Sequence, residues 1–261
     1  MLNVDLSGKR ALVTGASSGI GEAIAGMLAQ AGADIAINYF GPADAAEAVA
    51  AKARQAGVRA MTAKADISDP DQVSAMFAAM ESTLGGIDIL VNDAGMDGPA
   101  APAWEADLAA WRRVLDVNLF GTFLCSREAL RRMVPRQSGV IVNLSSVHET
   151  IPWSGYSAYT SSKAAVSMLT KTLAQEAAPH GVRVLAIAPG AIRTPINQSV
   201  WGDPAGLADL ERKIPMGRMG DRDEIARMVA VLASDLASYV TGTTVFVDGG
   251  MTDFASFAHG G

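Results

Sequence analysis

Cysteine is almost missing from this chain: Cys125 is the single one among 261 residues. No disulfide can form within the chain, which is what a reducing compartment predicts. Basic charge is also short, with 21 Lys and Arg against 27 Asp and Glu and a net charge of -6. No basic stripe is visible, and this argues against a nucleic-acid partner. No uncharged apolar run is long enough to span a bilayer, and residues 1–10 lack the apolar core of a signal peptide. A cytoplasmic protein without a membrane partner is the expectation. No His/Cys/Asp group has metal-ligand spacing, so no metal site is expected, and His180 and His259 read as surface residues. Linkers, low-complexity tracts and solenoid repeats are absent too, which leaves residues 1–261 as one domain.

What is present is an apolar fraction of 49%, enough to bury a full core. Short apolar runs at 10–14, 35–38, 87–92, 140–144, 182–187 and 244–247 read as buried strands, each too short for a buried helix. Helix-length stretches lie between them at 22–30, 43–55, 70–84, 108–132, 157–177 and 222–234. The acidic cluster Asp221-Arg222-Asp223-Glu224 reads as the start of the last one. Alternation of this kind over the whole length predicts an α/β fold, a Rossmann-type doubly wound parallel sheet with helices on both faces. The segment 194–213 breaks the rhythm. It is too long for a plain connection, and a lid over a site is expected there.

The first strand runs into Gly15-Ala16-Ser17-Ser18-Gly19-Ile20-Gly21, with glycines spaced G-x-x-x-G-x-G ahead of a helix. Backbone amides and a helix N-terminus at such a junction can hold a pyrophosphate, and a large side chain would block the approach. An ordinary tight turn would carry the same glycines; the position after the first strand favours a dinucleotide. The end of the second strand usually selects NAD or NADP, through an acidic or a basic residue. Here Asn38-Tyr39-Phe40 offers neither charge, which favours NAD or dual use.

Farther on, Tyr159 and Lys163 are spaced i, i+4 and share a helix face, whereas Tyr156 is seven residues from the lysine. A nearby ammonium favours a phenolate, so Tyr159 is expected to act as a general acid/base with its pKa lowered by Lys163. A surface Tyr/Lys pair is the bland alternative, and the glycine turn upstream weighs against it.

In this order, Thr14 to Gly21, Asn92-Asp93-Ala94-Gly95, Asn118, Ser146, Tyr159 to Lys163 and Pro189-Gly190 give a chain that resembles the short-chain dehydrogenase/reductase family over essentially its full length. Within that family it is most similar to the bacterial NAD(P)-dependent glucose 1-dehydrogenases, through Ser145 to Trp153, Gly190 to Asn197 and Asp248 to Thr252. The resemblance implies a catalytic set of Asn118, Ser146, Tyr159 and Lys163. It selects Ser146 over Ser145, gives Asn118 a water that relays protons to the lysine, and has Lys163 bond the nicotinamide ribose. It further implies cofactor contacts at Asp66 and Ile67, at Asn92, Ala94 and Gly95, and at Pro189, Gly190, Ile192 and Thr194. Two departures stand out: Asp93 replaces an asparagine, and Phe40 replaces an arginine that helps to hold the NADP phosphate.

The reaction implied is oxidation of a sugar hydroxyl by hydride transfer to NAD(P), with β-D-glucose at C1 as the leading substrate. A 3-oxoacyl thioester or other ketone reductase is the alternative, because one catalytic set serves both. A cofactor-binding regulator without turnover is less consistent with an intact set. His148, Glu149 and Asp97 are the expected contacts to substrate hydroxyls. Trp153 reads either as a stacking platform or as loop packing. The resemblance also implies a homotetramer, with helices 108–132 and 157–177 pairing and residues 254–261 reaching a neighbour.

Overall fold

The computed structural model describes residues 4–195 and 198–253. The proposed reach of residues 254–261 to a neighbouring subunit lies outside them. The first half of the chain runs β1 (Arg10–Val13), α1 (Gly19–Gln30), β2 (Asp34–Tyr39), α2 (Ala43–Gln55), β3 (Ala60–Lys64), α3 (Pro70–Leu84) and β4 (Ile89–Asn92). The second half adds α4 (Leu108–Leu115), α5 (Thr122–Met133), β5 (Gly139–Leu144), α6 (Ser157–Ala177), β6 (Val182–Pro189) and β7 (Ile192–Arg193). It closes with α7 (Gln198–Trp201), α8 (Pro204–Glu211), β8 (Gly220–Asp221), α9 (Arg222–Ala233) and β9 (Thr244–Val247).

Seven strands form one parallel sheet in the order β3-β2-β1-β4-β5-β6-β9, while β7 and β8 make a small separate pair. The central strands are buried on both faces because most of their residues are apolar and alternate between two cores. Ala11, Val13, Ile35, Ile37, Ile89 and Val91 pack against α1, α2 and α9. Their neighbours Leu12, Ala36, Leu90 and Ile141 pack against α3, α5 and α6 on the opposite face. Each fully buried Leu or Ile contributes about 1.5–3 kcal/mol relative to exposure.

Local chemistry sets the helix ends. The Asp69 carboxylate accepts hydrogen bonds from the Asp71 and Gln72 amides at the start of α3, and Gly85 ends that helix in the left-handed conformation at φ 90°. Asp221 and Glu224 form a capping box at α9, the helix start expected from the acidic cluster. The stretch 108–132 is not one helix as expected: a π-helical turn at Asp116–Gly121 separates α4 from α5. Its cause is visible at Asn118, whose side chain leaves the helix to bond both backbone groups of Met96, and at Thr122, whose hydroxyl donates to the Asn118 carbonyl at 2.8 Å. Strand β3 is an addition to the expected set. Its Ala-Met-Thr-Ala-Lys sequence lies at the sheet edge and carries little apolar signal.

Reading the order outward from the centre, the direction of chain progression reverses between β1 and β4. Open parallel sheets bind ligands outside the carboxyl ends of the strands at such a switch point.

Candidate active site

A cleft of about 1150 Å³ opens at that edge. Gly15, Ser17, Ser18, Gly19 and Ile20 line it after β1, with Asn38 and Phe40 after β2 and Asp66 and Ile67 after β3. Ala94, Gly95 and Asp97 follow β4, and Ser146 and His148 follow β5. Pro189, Gly190, Ile192 and Thr194 close the wall beyond β6, and Tyr159 and Lys163 reach in from α6.

The glycine turn fits a dinucleotide. A Cβ on Gly15 would come within 2.8 Å of the Ala94 backbone, so only glycine lets β1 and β4 approach this closely. Ser18 caps α1 with no side-chain hydrogen bond. The Gly19 and Ile20 amides beside the cleft are therefore not taken by the Ser18 side chain, the arrangement that can hold phosphate. The Thr14 hydroxyl accepts hydrogen bonds from the Asp93 and Ala94 amides, both at 3.1 Å, and ties the two strand ends together.

At the other end of the cleft, the Ser146 hydroxyl lies beside the Tyr159 hydroxyl and draws its pKa down. Ser146 is held by the His148 amide, which donates to its oxygen at 3.2 Å. The Lys163 ammonium donates to the Leu144 carbonyl at 2.7 Å and lies 5.7 Å from the Tyr159 ring centroid. Ser145 faces the scaffold, donating to the Lys163 carbonyl at 3.2 Å. Asn118 is buried. Its amide nitrogen donates to Ser162 at 3.0 Å, and the Ser162 hydroxyl donates to the Tyr159 carbonyl at 2.7 Å, so Asn118 braces the turn of α6 that carries the tyrosine.

The charge balance differs from the expected one. Burial pushes the Tyr159 phenol up to about 12; the Ser146 hydroxyl opposes this, and Asp97 and Asp93 add to it. The ammonium does not outweigh them, because Lys163 is itself pushed down by burial while Asp93, Asp97 and Glu149 pull it upward. Burial also pushes Asp97 up, against the charges of Lys163 and His148.

Four other expected contacts point elsewhere. Tyr39 packs in the core on the α1 and α2 side, because alternation along β2 sends it inward once Asn38 faces the turn. Asn92 is buried and donates to Asn143 at 2.8 Å and to Ser126 at 3.1 Å. Gly21 meets the Asp93 carboxylate instead of the open cleft. Glu149 turns away from the mouth: it accepts from the Ser167 hydroxyl at 2.9 Å and from Thr244 at 3.5 Å. Trp153 packs within the loop, stacked between His148 at 4.6 Å and Tyr156 at 3.9 Å, and also lines the cleft. Residues passed over in the sequence include Met96, Ile151, Pro152 and Met251 on the cleft wall, and Arg113, which pairs with Asp66 at 2.6 Å. Arg113 and Asp66 lie 47 positions apart, so no local pattern announces them.

The family model described as enoyl-(acyl carrier protein) reductase matches residues 15–252. The chain is 47% identical to 3beta-hydroxysteroid dehydrogenase 1 of Eggerthella lenta, over 98% of both chains. It is 40% identical to glucose 1-dehydrogenase 2 of Bacillus subtilis, over 97% of this chain and 98% of that one. The crystal structure of a gluconate 5-dehydrogenase from Burkholderia cenocepacia, in complex with NADP and tartrate, superposes with a TM-score of 0.91 at 36% identity, covering 97% of this chain and 98% of that one. Fold, glycine turn and relatives together define an NAD(P)-dependent oxidoreductase. The chain belongs to the short-chain dehydrogenase/reductase family.

Proposed function

We propose that the protein is a cytoplasmic dehydrogenase acting on a secondary hydroxyl borne by a saturated six-membered ring, with a largely apolar ring preferred over a sugar. The observation that carries this reading is the wall beside the reacting tyrosine. Ile151, Pro152 and Trp153 line the cleft, and the Trp153 ring meets Tyr159 edge-on at 5.9 Å. An apolar face next to the proton-transfer group fits an alicyclic carbon skeleton and rejects nothing but a dense hydroxyl shell. With Glu149 turned into the scaffold, one of the three expected hydroxyl contacts is lost. The 47% identity to a hydroxysteroid dehydrogenase supports the same choice.

In this reading Tyr159 exchanges a proton with the substrate oxygen, and Ser146 hydrogen-bonds that oxygen as its charge changes. Asn118 holds the tyrosine's turn in place. Lys163 supplies positive charge beneath the site and would bond the ribose of a bound cofactor. A nicotinamide held along the cleft would supply the hydride chemistry at the carbinol carbon. Phe40, exposed at the carboxyl end of β2, offers a 2′-phosphate no charged partner, which supports a preference for NAD. Residues 194–213, carrying α7 and α8, serve as the lid, supported by Leu210 and Lys213 on the cleft wall. The exposed Phe120, Phe123 and Met168 on the α5 and α6 side support a homotetramer built on those helices.

Glucose oxidation at C1 is the second reading. It is favoured by Asp97, whose carboxyl lines the cleft and can bond a ring hydroxyl, and by the 40% identity to a glucose dehydrogenase. A panel of alicyclic alcohols, aldoses and acyl thioesters, offered with NAD and NADP separately and followed by nicotinamide absorbance, tests both. Turnover of alicyclic alcohols with NAD above that of glucose is expected. Turnover confined to aldoses moves the assignment to the second reading, and turnover confined to 3-oxoacyl thioesters overturns both.

A further inference from the structure

Asp93 stands at the carboxyl end of β4, across the switch point from the glycine turn that follows β1. One of its carboxylate oxygens lies 2.6 Å from where a Cβ on Gly21 would sit, and the Gly21 amide favours its ionised form. A carboxylate therefore shares the positive end of α1 with whatever phosphate the turn holds. Two anions at one helix N-terminus oppose each other, and beside a half-buried carboxylate the opposition is stronger than at a fully exposed surface.

Among the described residues, the groups that favour the charge do not outweigh burial. From α6 the facing groups are the Lys163 ammonium and the Tyr159 hydroxyl; from the loop after β4 there is Asp97; from α1 there is the Gly21 amide. The end of β2 contributes only the neutral Asn38 amide, which is spent on Gly15, Ala63 and Ala65. Among the described residues, Lys163 is the one cation whose charge acts on Asp93, and it is already bonded to the Leu144 carbonyl. Burial outweighs both Lys163 and the Gly21 amide and pushes Asp93 up to about 7.

We propose that Asp93 couples cofactor binding to the uptake of one proton: the neutral acid accepts the dinucleotide's pyrophosphate beside it, and the carboxylate repels it. The step is a simple protonation, with the proton taken from water and lodged on the Asp93 carboxyl while the cofactor is bound. Below neutrality the acid is already neutral and binding is strongest. As pH rises through its titration, affinity falls by up to about tenfold per pH unit, until the higher pKa of the loaded protein is reached. An asparagine at this place would have no proton to take up.

NADH is the suitable probe, because its pyrophosphate diester does not titrate near neutrality, unlike the phosphate monoester of NADPH. Its dissociation constant, measured by nicotinamide fluorescence from about pH 6 to about pH 9, is expected to rise at least tenfold for the natural chain. Calorimetry in two buffers of different ionisation heat should report net proton uptake at about pH 8. Asp93→Asn should flatten the profile, abolish the uptake and tighten binding at the alkaline end. A flat natural profile, or binding without net proton uptake, overturns the proposal. So does a variant that keeps the natural slope, which would pass the effect to Lys163 or Tyr159. If Asp93→Asn does not fold, the infrared difference spectrum of the natural chain on NADH binding decides: a gained carboxylic-acid C=O band supports the proposal, and proton uptake without that band overturns it.

Discussion

Two tyrosines three positions apart have opposite surroundings. Tyr159 sits beside Ser146 and faces the cleft, whereas Tyr156 stacks on Trp153 and does not line it. Removing the hydroxyl of Tyr159 deletes the proton-transfer group, so Tyr159→Phe should lower kcat by at least about a hundredfold. Tyr156→Phe keeps the stacked ring and should change kcat less than about tenfold. Steady-state rates in variants that still bind NADH check the pair, and equal losses would reject the assignment. The direction of the Tyr159 shift adds a pH dependence. Its pKa is raised, so the neutral phenol dominates at neutral pH and serves the reductive direction, where it donates. Oxidation needs the phenolate, and kcat/KM for alcohol oxidation should therefore climb as pH rises into the alkaline range. The Tyr159/Lys163 pairing was legible from the i, i+4 spacing, because spacing on a helix fixes a face. The sign of the tyrosine shift was not legible, because it depends on burial and on Asp97 and Asp93, more than sixty positions upstream.

At the scale of elements, the connection after β5 is held by an unexpected anchor. Glu149 is part of a short 3-10 turn at Val147–Glu149, and its carboxylate ties that turn to Ser167 on α6 and Thr244 on β9. His148 belongs to the same turn, and its ring stacks on Trp153 beside Tyr159. Glu149→Ala loses two hydrogen bonds, each contributing about 1 kcal/mol, and frees the wall of the cleft. KM for substrate should rise about tenfold with kcat retained to within a few-fold, while Glu149→Gln, which keeps an acceptor oxygen, should restore most of the loss. Unchanged KM in the alanine variant would show that α6 holds the wall without it. The bounds of α2, α3 and α6 were readable because each carries a sustained pattern between clear stops. The π turn was not, since it follows from a bond between Asn118 and Met96, 22 positions apart.

Across the whole molecule, the two ends of the sheet divide the tasks. The carboxyl ends carry the cleft, and the amino ends carry ion pairs that hold the strands in register. Asp88 is the centre of that lower layer: Arg10 donates to it at 2.7 Å and 2.8 Å, Arg136 donates at 3.0 Å, and its own carbonyl accepts from Val140. One residue thus joins the starts of β1, β4 and β5, through its carboxylate to Arg10 and through its carbonyl to Val140. Burial pushes its pKa up, but the bonds from Arg10 and Arg136 win and hold it below the usual carboxylate range. A depressed pKa means stability that is present above the ordinary carboxylate value and lost as pH falls through the folded one. Breaking a deeply buried pair costs about 3–5 kcal/mol; with the Asp88 side chain 14% exposed, a smaller cost of about 2 kcal/mol is expected for Asp88→Asn. In a chain of this size that lowers Tm by about 5 °C at neutral pH. The gap between natural chain and variant should close as the solution is acidified below the ordinary Asp pKa, because protonation then neutralises the natural side chain as well. Thermal melts across that range, with KM for substrate measured at neutral pH, check the division: Tm should fall while KM holds. A change in KM without a change in Tm would mean that the two edges of the sheet are not separable.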